Sequence, residues 1–445
     1  MVRALPLLLL LLAGCASSPD PLPESRPFVP APAERGDATR SADRIPDDLP
    51  GLVALALERN PRIRAARERA VAMEEGAREV GWLPNPSVVV GWYAVPVETR
   101  VGPQNWSLSL RQPVPFPTKL RTRSEIGDAE ARRARVVYER TVRDVLTAVI
   151  RAAWEIAYLD EAKGISDGIA ALLERYVADA AGEEGPLSDL FRAQTQRAQL
   201  ENDRVVLAEL RVAESVHLRS LLALPPDTPI ATPRLSPVPR VRVRWEDLLA
   251  RMSERNQEMI EAGLSLETAA LRTSLAEQRR IPDLSLGVTR IFTGDITGVP
   301  VEPEDSGRDP LIFSLGLDIP LWIPKDSAAI RKARALERAA AEERTDSAQR
   351  ARTRLARAWY RLGKAERLSR LYGEVLVPRA RLATRTAEDL AAAGKGSLSG
   401  TLEAVAVLHN FRLAAARARS DHAQALADLE AAVGQPFVPA GEEAP

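Results

Sequence analysis

Three histidines, His217, His409 and His422, and one cysteine, Cys15, are the only imidazole and thiol groups in the 445-residue chain. A metal site needs several such groups at short spacing, on one helical face or in a turn. The three histidines fall in helical sequence with no mutual metal spacing, so they read as packed or exposed residues rather than ligands. No P-loop, dinucleotide fingerprint, Gly-X-Ser-X-Gly elbow or paired metal-binding histidines occur, and the chain reads as a protein without catalysis or cofactor. The densest acid cluster is Glu302, Glu304, Asp305 and Asp309. It could attract cations, but a solvated loop is the plainer reading. Lys plus Arg and Asp plus Glu both total 61. With neither a basic excess nor a basic stripe, a nucleic-acid partner is not expected.

Cys15 has a chemical setting of its own. Residues 1–14 hold one basic residue, Arg3, then a leucine run broken by Pro6, and end Leu12-Ala13-Gly14. That is a signal peptide, too short to span a bilayer. Leu-Ala-Gly-Cys resembles a bacterial lipobox, in which the cysteine is acylated and becomes the mature N-terminus. Each buried methylene contributes about 0.8 kcal/mol, so several acyl chains anchor firmly. Ala16 stands where an aspartate would favour inner-membrane retention, which makes the outer membrane the expected destination. Residues 15–48 are rich in Pro, Ser and mixed charge and read as a tether.

The remaining chain is a duplication. Glu58-Arg59-Asn60 recurs as Glu254-Arg255-Asn256, Ser107 to Pro113 as Ser314 to Pro320, Ala153-Trp154 as Ala358-Trp359, and Gly185 to Ser188 as Gly396 to Ser399. The chain thus divides into repeats over 49–224 and 243–436, a Pro-rich linker over 225–242 and a tail over 437–445. In each repeat a helical stretch gives way to period two. Val88, Val90 and Trp92 alternate with small or polar neighbours, as do Trp106, Leu108 and Leu110, then Leu284, Leu286 and Val288, then Phe313, Leu315 and Leu317. Four strands are expected at about 86–95, 105–114, 283–292 and 311–320, long enough for tilted strands to cross a bilayer. Trp82, Trp92, Trp106, Phe116, Phe313 and Trp322 lie towards their ends, as interfacial aromatic girdles do. Outside the signal no apolar run reaches eighteen residues, so a membrane span here must be a β-barrel.

Four strands cannot close a barrel, and an open edge in hydrocarbon leaves backbone groups unpaired at several kcal/mol each. Two copies would make eight strands with a filled interior; three would make twelve and leave a lumen. The small or polar Ser107, Ser109, Ser285 and Gly316 favour the open form. Nearly continuous helical sequence then runs from 118 to about 180 and from 326 to about 393. Val142, Val149 and Ile156, with Val145, Ala152 and Leu159, form a heptad seam. Leu146, Ile150, Trp154 and Tyr158 add a second stripe, so one helix could pack on two neighbours. Sixty helical residues reach roughly 90 Å. Gly182 to Pro186 and Gly394 to Gly396 are expected to turn each long helix into a hairpin. Pro378 is expected to kink the second long helix, and Gly164 with Gly168 to soften the first.

In this order the elements resemble the TolC-like outer-membrane efflux family over about residues 50–436. The resemblance rests on Leu83-Pro84-Asn85-Pro86, Gln112-Pro113-Val114-Pro115, Leu376-Val377-Pro378, Gly-X-Leu-Ser at both hairpin tips, and Leu429-Glu430-Ala431-Ala432-Val433-Gly434. It implies a mainly α fold with a small membrane β part: long coiled-coil helices forming a helical barrel, and four strands per chain closing a 12-stranded β-barrel in a homotrimer. It further implies a passive exit duct of a tripartite efflux or type I secretion system. The partners would be a periplasmic adaptor and an inner-membrane pump of the RND, ABC or MFS type. The adaptor-facing tips would be Gly185, Pro186, Leu187, Ser188 and Asp189, and Gly396, Ser397, Leu398 and Ser399. Glu183 and Glu184 make one tip acidic and Lys395 makes the other basic. Some members carry two carboxylates three residues apart beyond the second tip. Here those positions are Leu402 and Val405, with Glu403 the nearest acid, and these three are the candidate pore constriction. A periplasmic adaptor lipoprotein and a structural coiled-coil lipoprotein remain alternatives, although the lipoyl-like β-domains of an adaptor are missing.

Overall fold

The computed structural model describes residues 45–182, 187–238, 241, 243–296, 304–393 and 395–437. The signal, Cys15, Gly185 and Pro186 lie outside them. The first repeat is α1 (Leu49–Arg59), α2 (Pro61–Val80), β1 (Ser87–Thr99), β2 (Gly102–Val114), α3 (Pro117–Gly182) and α4 (Leu187–Leu222). The second is α5 (Trp245–Arg255), α6 (Gln257–Glu277), β3 (Asp283–Thr293), β4 (Leu311–Asp318), α7 (Ile323–Arg370), a π-helical turn (Leu371–Leu376), α8 (Val377–Ala392) and α9 (Leu398–Val433). Packing divides the chain into two units. Ala72–Ala131 with Glu267–Glu337 hold the sheet and the helix segments around it, and the remaining helical sequence makes the other.

One asparagine closes each repeat. Asn60 ends α1, and its Oδ1 accepts hydrogen bonds from the amides of Arg62 (2.9 Å) and Ile63 (3.3 Å) in the first turn of α2. Its Nδ2 donates to the Leu221 carbonyl at the end of α4, 2.7 Å away. Asn256 repeats this between α5 and α6: Oδ1 accepts from Glu258 and Met259, both at 3.1 Å, and Nδ2 donates to the Ala432 carbonyl of α9 at 2.8 Å. Both side chains are buried, so these bonds satisfy helix-end groups that water cannot reach. Gly434 completes the second closure. Its φ of +94° suits the helix C-terminus, and a Cβ there would lie 2.3 Å from the Arg255 carbonyl oxygen.

The heptad seam is buried along its length: Val142, Val145, Val149, Ala152, Ile156 and Leu159 all belong to the core. Gly164 and Gly168 do not interrupt α3, which is one α-helix of 66 residues. Pro378 acts differently from a simple kink. A proline ring crowds the carbonyl four residues earlier and supplies no amide. The preceding turn widens into the π-helix, and the Val377 amide reaches back five residues to the Tyr372 carbonyl.

The sheet has the order β1-β2-β3-β4 and is antiparallel throughout. Its first two strands exceed the expected ten residues. Each has thirteen, and the turn between them is only Arg100–Val101. Pro96 lies within β1, where the β1–β2 register shifts between Trp92 and Val97. β4 stops at Asp318, two residues before Pro320.

Candidate functional site

Register sorts the strand residues onto two faces with different chemistry. Val90 pairs with Leu108, Leu110 with Val288, and Val288 with Phe313, so one face is a continuous apolar surface. Phe313 and Leu315 there are 72% and 73% exposed. Trp92, Trp106 and Phe292 lie in one row across three strands, with Trp106 stacked on Phe292 at 3.6 Å between centroids. Phe292 joins the aromatic row unforeseen, because it follows β3 residues whose alternation alone drew attention. Trp82, Phe116 and Trp322 lie outside the strands and Phe313 within β4.

The other face is small and polar. Gly91 opposes Ser107, Gly287 opposes Ser314, and Gly316 opposes Ser285. A Cβ at Gly287 or Gly316 would lie 2.4 Å from the opposing serine oxygen. Ser109 and Thr289 share a hydrogen bond of 2.8 Å between hydroxyls. Such alternation is what strands between lipid and water require. Strands β1 and β4 are both unpaired on their outer sides among the described residues.

Two carboxylates of the acidic loop are paired with arginines. Arg100 pairs with Asp305 through both terminal guanidinium nitrogens, one of them 3.1 Å from Oδ1. Arg290 donates to Asp309 Oδ2 at 3.0 and 2.7 Å, while the Thr293 amide donates to Oδ1 at 2.9 Å. Asp305 is held below the ordinary carboxylate range by Arg100, and Asp309 by the Thr293 amide and then Arg290. Glu302 lies outside the described residues.

At the hairpin ends, Ser397 caps α9 by accepting from the Gly400 amide at 3.1 Å. Arg192 of α4 donates to Ser399, tying the start of α4 to the start of α9. Leu187, Ser188 and Asp189 begin α4, and Leu398 begins α9. Leu402 and Val405 are 0% and 1% exposed, packed with Ile169, Leu173, Ala193 and Leu200. This chain's own helices cover both. Glu403 alone of the three constriction residues is exposed.

The histidines are dispersed. His409 is buried, with Nε2 3.3 Å from the Ser166 hydroxyl, and burial lowers its pKa. His217 lines an open cleft of about 520 Å³ in the helical unit, beside Asp144, Arg151, Glu155 and Arg417. Those charges are already engaged: Arg417 meets Glu155 at 2.6 Å, and Arg151 meets Asp428 at 3.0 Å. No group of acids and histidines among the described residues is arranged for a metal, and no described helix is long and apolar enough to cross a membrane.

Residues 248–435 match the outer membrane efflux protein family. Among solved structures, the outer membrane protein VceC of Vibrio cholerae aligns with a TM-score of 0.71 at 19% identity, over 88% of this chain and 97% of its own. The chain has the fold of the TolC-like outer-membrane channels. The outer membrane channel MtrE of Neisseria gonorrhoeae (TM-score 0.69, 18% identity, 93% of this chain and 97% of its own) is similar, as is CmeC of Campylobacter jejuni (0.67, 12%, 94% and 96%). Curated protein sequences yield no match.

Proposed function

We propose that this chain is an outer-membrane efflux channel: three copies close a twelve-stranded barrel, and the helical hairpins continue the duct into the periplasm. The observation that carries this reading is the sheet itself, apolar and exposed on one face, polar on the other, with two unpaired edges. In lipid such edges must find partners, and four strands per chain make a lumen only when at least three chains contribute. Cys15, acylated, would tether each protomer to the outer membrane. The chain would act passively, receiving solutes through a periplasmic adaptor from an inner-membrane pump. The adaptor would dock on the tips at Gly185 to Asp189 and Gly396 to Ser399, and the exposed Glu403 is the constriction candidate that survives. Native mass spectrometry of the full-length, detergent-extracted protein tests the reading. A three-chain mass that collapses to one chain on boiling supports it; a stable monomer that remains in solution without detergent refutes it.

A further inference from the structure

Arg111 is the one cation on the polar face of the strands. It belongs to β2, where its neighbours on that face are Ser107 and Ser109, and it pairs with Ser87 on one side and Gly287 on the other. Its side chain lies across β3 and donates from Nη2 to the Ser285 hydroxyl at 3.1 Å. The same nitrogen would be 3.8 Å from a Cβ at Gly316 on β4, so the glycine leaves room for the guanidinium to lie along the sheet. No carboxylate among the described residues pairs with it. The remaining N–H donors are therefore held in place and unspent, a fork suited to carboxylate, phosphate or sulfate groups.

Arg290, by contrast, projects from the apolar face, stacks over Phe292 at 4.8 Å and is satisfied by Asp309. The counterpart of Arg111 in the second repeat is Asp318. Asp318 also lies on the polar face and opposes Asp283, two positions along the ladder from Ser285 and Gly316, over which the Arg111 guanidinium lies. Two residues of strand cover roughly 7 Å, which is within the Debye length of about 10 Å in 0.1 M salt. Asp283 is taken by Lys119 at 2.9 Å, and no ion pair among the described residues joins Asp318 to Arg111, so Asp318 offsets the Arg111 potential only in part.

We propose that Arg111 sets charge selectivity in the barrel: one guanidinium from each protomer forms a ring that favours anionic solutes over cationic ones. The inference rests on the channel reading above. Full-length protein in a planar bilayer under a KCl gradient, with the dilute side at 0.1 M, tests it through the reversal potential. The chloride-to-potassium permeability ratio should fall about two- to threefold in Arg111→Gln and further in Arg111→Glu, and stay unchanged in Arg290→Gln. The wild-type ratio itself should relax towards unity as salt rises to 1 M, a readout that needs no variant to assemble. Conducting variants with the wild-type ratio, or a wild-type ratio indifferent to salt, would overturn the role of Arg111 and leave the channel intact. A wild-type protein that inserts but never conducts would overturn the channel reading and this inference with it.

Discussion

Glu430 sits near the end of α9 and is half-buried, accepting a hydrogen bond from the Phe437 amide at 2.9 Å. Burial raises its pKa from 4.5 to about 7, only partly offset by that amide. The folded chain therefore holds a proton that the unfolded chain has released between pH 4.5 and about 7. Its contribution is complete below the lower value and is lost as pH rises through the upper one, on the order of 3 kcal/mol in all. Glu430→Gln keeps an acceptor for Phe437 without a charge. Its helical melting midpoint should match wild type near pH 5 and exceed it at pH 8, and an equal offset at both values would contradict the assignment. Asn256 is the second residue on which much depends. Asn256→Ala removes a cap and leaves the Ala432 carbonyl unpaired, and should cost about 2–4 kcal/mol in thermal or denaturant unfolding. Asn202→Ala, on the exposed side of α4, should stay within about 0.5 kcal/mol. The recurrence of Glu-Arg-Asn flagged both asparagines, but their purpose was hidden, because the carbonyls they bind lie more than 160 residues away. Arg100 and Arg290 were missed for the same reason: a loop reads as acidic until the strands bring its cations alongside.

At the scale of elements, the long helices were the most legible part. A seam such as Val142, Val149 and Ile156 is local, and its burial follows from period alone. The strands were less so. Alternation located β3 closely, whereas β1 runs past Pro96, where its register with β2 shifts, and β2 begins three residues before its expected start. The π-helical turn before Pro378 could not be read from a proline that fits a kink equally well. At the tip of α9 the packing bears on the candidate constriction. Leu402 occupies a position where a carboxylate ring would be sought, yet it belongs to a core shared with α3 and α4. Leu402→Asp should therefore bury an unpaired carboxylate and destabilise the tip by roughly 3–5 kcal/mol. Hydrogen exchange at amides early in α9 should accelerate strongly. Wild-type protection together with new cation selectivity would show instead that position 402 faces the duct.

For the whole molecule, function depends on a surface that one chain cannot satisfy by itself. Apolar side chains such as Phe313 and Leu315 stand exposed over the sheet, and contiguous patches of this kind are normally covered by lipid or a partner. In the proposed channel lipid would cover the face, but only other strands could cover the edges of β1 and β4. The proposed trimeric closure would answer both demands and turn the serine- and glycine-rich face inwards onto water. Single-channel recording from the purified, full-length protein in a planar bilayer tests this most directly. Discrete, long-lived conductance steps from a boiling-sensitive oligomer are the predicted result. A protein that enters the bilayer yet leaves its resistance unchanged would contradict the account.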